Sequence, residues 1–308
     1  MPHLPTRAPG WAWPELHHGA LLPAKGSSRA RYTYLGEGYA LGAFRCGSRD
    51  PLWGQLNWIG EGHHIVFPTT SVGICVMSEE PFLTGPNHVV LYNPGDQYKR
   101  HLISEEGDRS IFMLVRPDLL RRLGGRSGAV DGDGLRFATR LVPLSARAHL
   151  ARWALVRYLS AERSPDQQLV EETCGFIASA VLDQAAKARG ARNHQRVVNS
   201  AKVLMIQRYN EPLTLKAMAK ELFISPFHLA RLFRAETSYT LHGYMMQLRL
   251  RRALDLLANP LLDVHQIGTR VGSSTHSHFT ESFRKAFHVT PSFARKMDGE
   301  ALRGLLVA

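Results

Sequence analysis

A pattern that returns after about 50 residues confines the C-terminal third of this chain to few folds. "TLKAMAKELFIS" (214–225) resembles "DVHQIGTRVGSS" (263–274). In each, an apolar residue (Leu215, Val264) is followed three positions on by another (Met218, Ile267). A small residue comes next (Ala219, Gly268), then a further apolar one (Leu222, Val271). "SPFHLARLFRAETSYT" is then echoed by "THSHFTESFRKAFHVT", with Leu229 and Phe233 matched by Phe279 and Phe283, and Arg234 by Arg284.

Each copy reads as two short helices joined by a turn. The small residue lets the second helix cross close to the first, and Ser225 and Ser274 stand where a helix N-cap is needed. Apolar positions four apart hold each second helix on a core and leave its opposite face free. "LHGYMMQLRLRRALDLLAN" (241–259) reads as one helix joining the copies. Second helices held about 34 Å apart could enter successive major grooves of a duplex.

The charge supports that reading. Of the net +12, residues 1–188 contribute +2, from 20 basic against 18 acidic residues, and residues 189–308 contribute +10, from 18 against 8. A basic surface concentrated in one segment calls for a polyanionic partner.

The remainder is organised differently. From about Gly26 to Val142, apolar and β-branched runs ("WIGEGHHIVF", "SVGICVM", "HVVLY", "SIFMLV") alternate with Gly-, Pro-, Asn- and Asp-containing breaks, the signature of a β-barrel or sandwich. Two amphipathic helices are expected next. One lies over 145–163; the other opens after Ser164-Pro165, which suit an N-cap and first helical position. "KARGARNHQR" (187–196) is polar, basic and contains glycine, and is read as a linker. The N-terminus has no apolar signal segment and no run is long enough to span a membrane, so a cytoplasmic protein is expected. Cys46, Cys75 and Cys174 form no CxxC pair and signal neither a disulfide framework nor a zinc site.

Residues 196–296 resemble the AraC/XylS family of bacterial transcription regulators. "SPFHLARLF" is similar to that family's first recognition helix and "YMMQLRLRRALDLL" to its linker helix; "HSHFTESFRKAF" followed by "VTPSFAR" is similar to its closing signature. Departures are Phe223, Ser238 and His288 where the family usually has glycine, Ser273 where it has Phe, and Ala294-Arg295 in place of a final Tyr-Arg. Phe223 and His288 are strained if the backbone still requires positive φ there. The resemblance implies an α+β chain: an N-terminal cupin-like β-barrel with two helices, and an all-α domain of two helix-turn-helix units joined by a linker helix. The expected division is an arm (1–25), a ligand-sensing or dimerisation domain (26–188), a linker (189–196), a DNA-binding domain (197–298) and a tail (299–308). It implies a sequence-specific regulator rather than an enzyme, associated with the nucleoid when bound. Promoter DNA, RNA polymerase, a second copy and a small-molecule effector are the implied partners. The alternative is a regulator without an effector, whose first domain only dimerises or contacts a partner.

Base-reading positions by that match are Phe227, His228 and Arg231 in the first unit and His276, Ser277, Thr280 and Glu281 in the second, with Arg231 suited to a guanine. Ser225, Arg249, Arg251, Arg252, Ser274, His278, Arg284 and Lys285 are candidates for phosphates. The cluster of His276, His278, Glu281 and His288 is not read as a metal site, since two residues apart on a helix point about 200° from each other. A metal-dependent cupin enzyme is the rival from another class. Its ligand set is incomplete here: His63 and His64 are adjacent, no Glu follows, and His101 stands alone. No metal or cofactor is therefore expected. Tyr98, His101 and Arg109 are the polar candidates for an effector, Arg109 having an ion pair with Glu105, Glu106 or Asp108 as its plainest role.

Overall fold

The computed structural model describes residues 30–77, 79, 81–127, 129–131, 135–187 and 195–307. The expected arm and residues 189–194 of the expected linker lie outside these; Gln195 and Arg196 already open a helix. The chain divides into two compact units, residues 1–189 together with 298–308, and residues 190–297.

The first unit is built on antiparallel strands β1 (Ala30–Leu35), β2 (Tyr39–Cys46), β3 (Leu56–Trp58), β4 (His63–Pro68), β5 (Val72–Val76), β6 (Phe82–Thr84), β7 (His88–Tyr92), β8 (Gln97–Leu102) and β9 (Asp108–Val115). Helix α1 (Pro117–Ser127) follows, then β10 (Val130–Asp131), β11 (Arg136–Phe137) and β12 (Leu141–Pro143). One sheet has the order β1-β2-β9-β4-β7-β12 and the other β3-β8-β5-β6, with β10-β11 as a separate ribbon. Their inner faces close over Ile59, Val72, Ile74, Val90, Tyr92 and Tyr98 on one side and Ala40, Phe44, Phe112 and Leu114 on the other, which gives the cupin-like barrel. The turn "NPGD" between β7 and β8 closes on itself. Gly95 takes φ 77°, and Asp96 accepts from Asn93 N at 2.6 Å. Asp96 also takes Arg136 and Arg140, fastening the turn to the strands after α1.

Helix α1 is absent from the strand reading of 26–142. Its Pro117 at the start and Asp118 in the first turn are helix-opening signals that the surrounding strand pattern hid. Helices α2 (Ala146–Ala161) and α3 (Gln167–Lys187) come next, and the unit regains α11 (Gly299–Val307) at the chain's end. Two expectations change. The cap of α3 is Asp166, whose Oδ1 accepts from Leu169 N at 3.1 Å, so the helix opens after Asp166 rather than at Ser164-Pro165. And α2 is not amphipathic, because residues Ala148 to Leu155 are all buried. Within the expected tail, residues Gly299–Val307 form α11, which buries Leu302 completely.

The second unit is helical: α4 (Gln195–Gln207), α5 (Leu215–Glu221), α6 (Pro226–Thr237), α7 (Leu241–Leu257), α8 (Val264–Arg270), α9 (His276–Phe287) and α10 (Pro291–Arg295). Its core takes Leu229 and Phe233 from α6, Phe279, Phe283 and Phe287 from α9, and Tyr244, Leu248 and Leu254 from α7.

Candidate nucleic-acid interface and barrel cavity

The two helix-turn-helix units are built alike, with the same caps and the same backbone hydrogen bond closing each turn. In the first, Thr214 caps α5, Ile224 N reaches back to Ala219 O at 3.0 Å, and Ser225 caps α6 by accepting from His228 N at 3.1 Å. In the second, Asp263 and Gln266 form a capping box on α8, Ser273 N reaches back to Gly268 O at 2.9 Å, and Thr275 caps α9 by accepting from His278 N at 3.1 Å. The cap of the second unit is therefore Thr275, not Ser274. Ser274 is an extra residue in that turn, so the repeat offset is 49 across the first helices and 50 across the second. This register sets Phe227 against Ser277, His228 against His278 and Arg231 against Glu281. At Gly268 a Cβ would stand 3.2 Å from the Phe279 ring, which is why the crossing needs a small residue.

Both turns pass through the left-handed region, at Phe223 (φ 55°) and Gly272 (φ 79°), and both recognition helices end in it, at Ser238 and His288 (φ 61° each). The glycine pattern of the family is thus kept in the backbone although the residues have changed. Phe223 carries the local strain of a Cβ in that region, and its side chain, 95% exposed, adds no packing clash to it. Gly272 has no such freedom: a Cβ there would meet Asn210 O at 2.7 Å. Gly272→Ala is expected to cost about 2 kcal/mol of the helical unit's stability, from left-handed strain plus that clash. Urea unfolding checks it; a cost below half that value would mean the turn can move.

Phe227, His228 and Arg231 on α6 are exposed, as are His276, Ser277 and Glu281 on α9, each set opposite the buried phenylalanine and leucine side. His278 is exposed with Nδ1 3.4 Å from Ser273 Oγ, while Arg284, Lys285 and Ser274 are exposed without any such engagement among the described residues. Four expected contacts are corrected. The Thr280 hydroxyl is buried, turned away from the face that reads. Arg251 and Arg252 are 2% and 9% exposed, and Arg252 lies 5.6 Å from the Tyr209 ring centre. Arg249 donates to the carbonyls of Tyr209 at 2.6 Å and Glu211 at 2.7 Å. Arg249 and Arg252 are thus engaged within the unit and Arg251 is buried in it, which takes these side chains away from the exposed surface a phosphate would meet. Ser225 caps α6 through its oxygen as acceptor, which leaves its exposed O–H able to donate. Lys216, Lys220, Arg234 and Arg270 are exposed basic residues of α5, α6 and α8 that the motif match passed over.

The sequence profile of a family described as "Helix-turn-helix domain" matches residues 218–297, which takes in both units. The Msm operon regulatory protein of Streptococcus mutans is 33% identical over 99 residues, 32% of this chain and 36% of that protein. The helical unit is an AraC-type helix-turn-helix domain. Another AraC/XylS-type relative, the regulatory protein SoxS of Escherichia coli, is 29% identical over 100 residues and is covered to 94% of its length. A solved AraC-type DNA-binding domain protein from Chromobacterium violaceum is 33% identical over 33% of this chain and 90% of that one, with a TM-score of 0.32. The chain spans only 36%, 40% and 32% of the first curated relatives it matches. The family likeness thus rests on the helical unit.

The barrel encloses a cavity of about 40 Å³ between its two sheets. Strand alternation brings Tyr98 and Arg100 of β8 and Asp108, Ser110 and Phe112 of β9 onto its wall. Arg100 donates to Asp108 Oδ2 at 3.1 Å, and its guanidinium carbon stands 4.5 Å from the Phe44 ring centre. Burial pushes the Asp108 carboxyl up and Arg100 pulls against it. Arg100 Nε and the Thr84 hydroxyl, both buried on this wall, have no partner among the described residues. Of the expected effector residues, Tyr98 lines the cavity; His101 and Arg109 are exposed on the far face of their strands. Asp108 pairs with Arg100, not with Arg109.

His64 also faces the cavity, with Nδ1 2.9 Å from Gly62 O, and burial brings its pKa down to about 4. A base whose pKa is depressed by folding stays neutral while the unfolded chain takes up a proton. Its contribution is whole above about pH 6.5 and is lost as pH falls towards about 4, to a total of about 3 kcal/mol. Thermal unfolding of the barrel unit across pH 7.5 to 4.5 is expected to show that slope, and His64→Leu to flatten it. An unchanged slope in the variant would assign the effect elsewhere. His63 is held against Leu135 O, and among the described residues no three His, Cys, Asp or Glu side chains gather as a metal site. Cys46, Cys75 and Cys174 are free thiols. No described helix is long and apolar enough to cross a membrane.

Proposed function

We propose that the protein is a sequence-specific DNA-binding transcription regulator that reads two adjacent major-groove segments with α6 and α9. The observation that carries this is a pair of equivalent, exposed recognition faces on one basic unit, each braced from behind by buried aromatics. Phe227, His228 and Arg231 read the first block; Ser277, His278 and Glu281 read the second. Their opposite chemistry at one register position, Arg231 against Glu281, suits guanine in one block and cytosine in the other. Arg284, Lys285, Lys216, Lys220 and Arg270 supply phosphate contacts, which position without specifying. Selection from random duplexes by the full chain is expected to enrich one motif of two blocks about one helical turn apart. Arg231→Ala should relax one base pair at a cost of about 1–3 kcal/mol. Binding with no enriched motif would reduce the unit to a non-specific polyanion grip.

The barrel serves in this reading as the sensing unit, and its cavity as the effector site. The unpartnered Arg100 Nε and Thr84 hydroxyl on a mostly apolar wall support this, since buried polar groups left unmatched are rare. An effector acts only by its different affinity for two arrangements of the chain. A second copy and RNA polymerase complete the partners of the reading.

A further inference from the structure

Helix α11 lies after the DNA-reading unit in sequence yet belongs to the barrel unit. Asp298 opens it, accepting from Ala301 N at 2.9 Å. Leu302 is fully buried. Arg147 of α2 donates through Nε and Nη2 to Leu305 O, at 3.2 and 2.7 Å, and its guanidinium carbon lies 5.0 Å from the ring centre of Phe176 on α3. Arg303 pairs with Asp166, the cap of α3. Gly299 sits where a Cβ would come within 3.0 Å of the Tyr158 ring on α2 and 3.6 Å of Leu169 on α3. Helices α2 and α3 thus precede the DNA-reading unit in sequence, and α11, which packs on them, follows it. On the leaving side only Lys296 and Met297 separate α10 from the cap of α11.

The grip is shallow. A helix of nine residues does not stand alone in water, and this one carries Gly304 in its interior. One side chain is fully buried; Leu305 and Leu306 are half-buried and Val307 is 90% exposed. The Arg303–Asp166 pair is exposed and holds little. A segment that is helical only while docked, and docked mainly by one leucine and one capped carbonyl, opens before the helices beneath it.

We propose that α11 is a reversible clasp: docked on α2 and α3 it restrains the DNA-reading unit at its second end and holds DNA affinity down, and its release raises that affinity. The proposal rests on the DNA-binding reading above. Linkage makes it reciprocal, so DNA must favour the released helix. The test compares the full chain, Arg303→Glu, Arg303→Glu with Asp166→Arg, and a chain ending at Met297. Affinity is read by fluorescence anisotropy on the selected duplex, and amide exchange of residues 299–307 is followed in the full chain with and without that duplex. The shortened chain is expected to bind at least fivefold tighter, Arg303→Glu to move the same way by a smaller factor, as suits an exposed pair, the double reversal to return towards the parent, and duplex to speed exchange in 299–307. If the folded variants bind as the parent does or more weakly, and exchange is unmoved, α11 is only a cover and the clasp is wrong. Should the shortened chain not fold, the charge reversals and the exchange decide alone. If no protein binds any duplex, the DNA-binding reading falls and the clasp with it; if all bind equally, the clasp alone falls.

Discussion

Arg100→Ala is expected to destabilise the barrel unit by about 3–5 kcal/mol, because it leaves a buried carboxylate without its cation. Asp108 is 7% exposed and Arg100 2%, and the pair is walled by Phe44, Phe112 and Tyr98. In the variant, Asp108 can escape the cost only by taking up a proton; burial without the cation holds its carboxyl above the ordinary carboxylate range, so the loss should shrink as pH is lowered towards that range. The test of cause is the double variant Arg100→Met with Asp108→Leu. If the single loss is an orphaned charge, the double variant recovers most of it, since well-packed apolar residues replace a buried pair at little cost. Failure to recover would show that Arg100 matters through its stacking on Phe44 and its 3.5 Å approach to Asn57 Oδ1. The same variants test the proposed effector site, because both residues line the cavity. A variant that folds yet no longer answers to a ligand that stabilises the parent would place that ligand on the pair.

What the sequence made legible follows the density of local signals. The repeat was readable because each copy carries a cap, a small crossing residue and apolar positions four apart, which agree with one another. The slip at Ser274 arose where those signals are degenerate: Ser274 and Thr275 can both cap a helix, and only the backbone shows which does. The α7 arginines were misread for a different reason. Arg249, Arg251 and Arg252 look in sequence like a solvated basic stripe, and the groups that claim Arg249 and Arg252 include Tyr209 and Glu211, some forty positions away. On β8, "QYKRHL" has no apolar alternation to fix which face is inward. A one-residue change of register exchanges Arg100 for His101 at the cavity. On β9 the signal was present: Asp108, Ser110 and Phe112 alternate with Arg109 and Ile111, and Phe112 marks the inner face. Residues 299–307 carried an apolar spacing short enough to pass as a tail; the residues they bond to stand 137 and 158 positions earlier.

Phe283→Ala is the second large effect expected, about 3–5 kcal/mol from the helical unit alone. Phe283 is wholly buried, edge-on to Phe279 at 5.9 Å and tilted against Phe287 at 4.7 Å, so its loss opens a cavity at the centre of the stack that seats α9. Calorimetry should show the helical unit's transition fall while the barrel's stays; movement of both would mean the two units melt as one. Binding, measured cold enough that the variant remains folded, should weaken chiefly at the block read by α9, because that helix has lost its seat and α6 has not. Phe227→Ala is the control. That side chain is 80% exposed on α6, so its removal should change stability by less than about 0.5 kcal/mol. Its effect should appear instead in the selected motif, where contact with a thymine methyl is the role open to it. One residue type on two equivalent helices thus separates seating from reading: loss of stability with the motif kept in one case, and loss of motif with stability kept in the other. If Phe227→Ala left the motif intact, α6 would read through His228 and Arg231 alone.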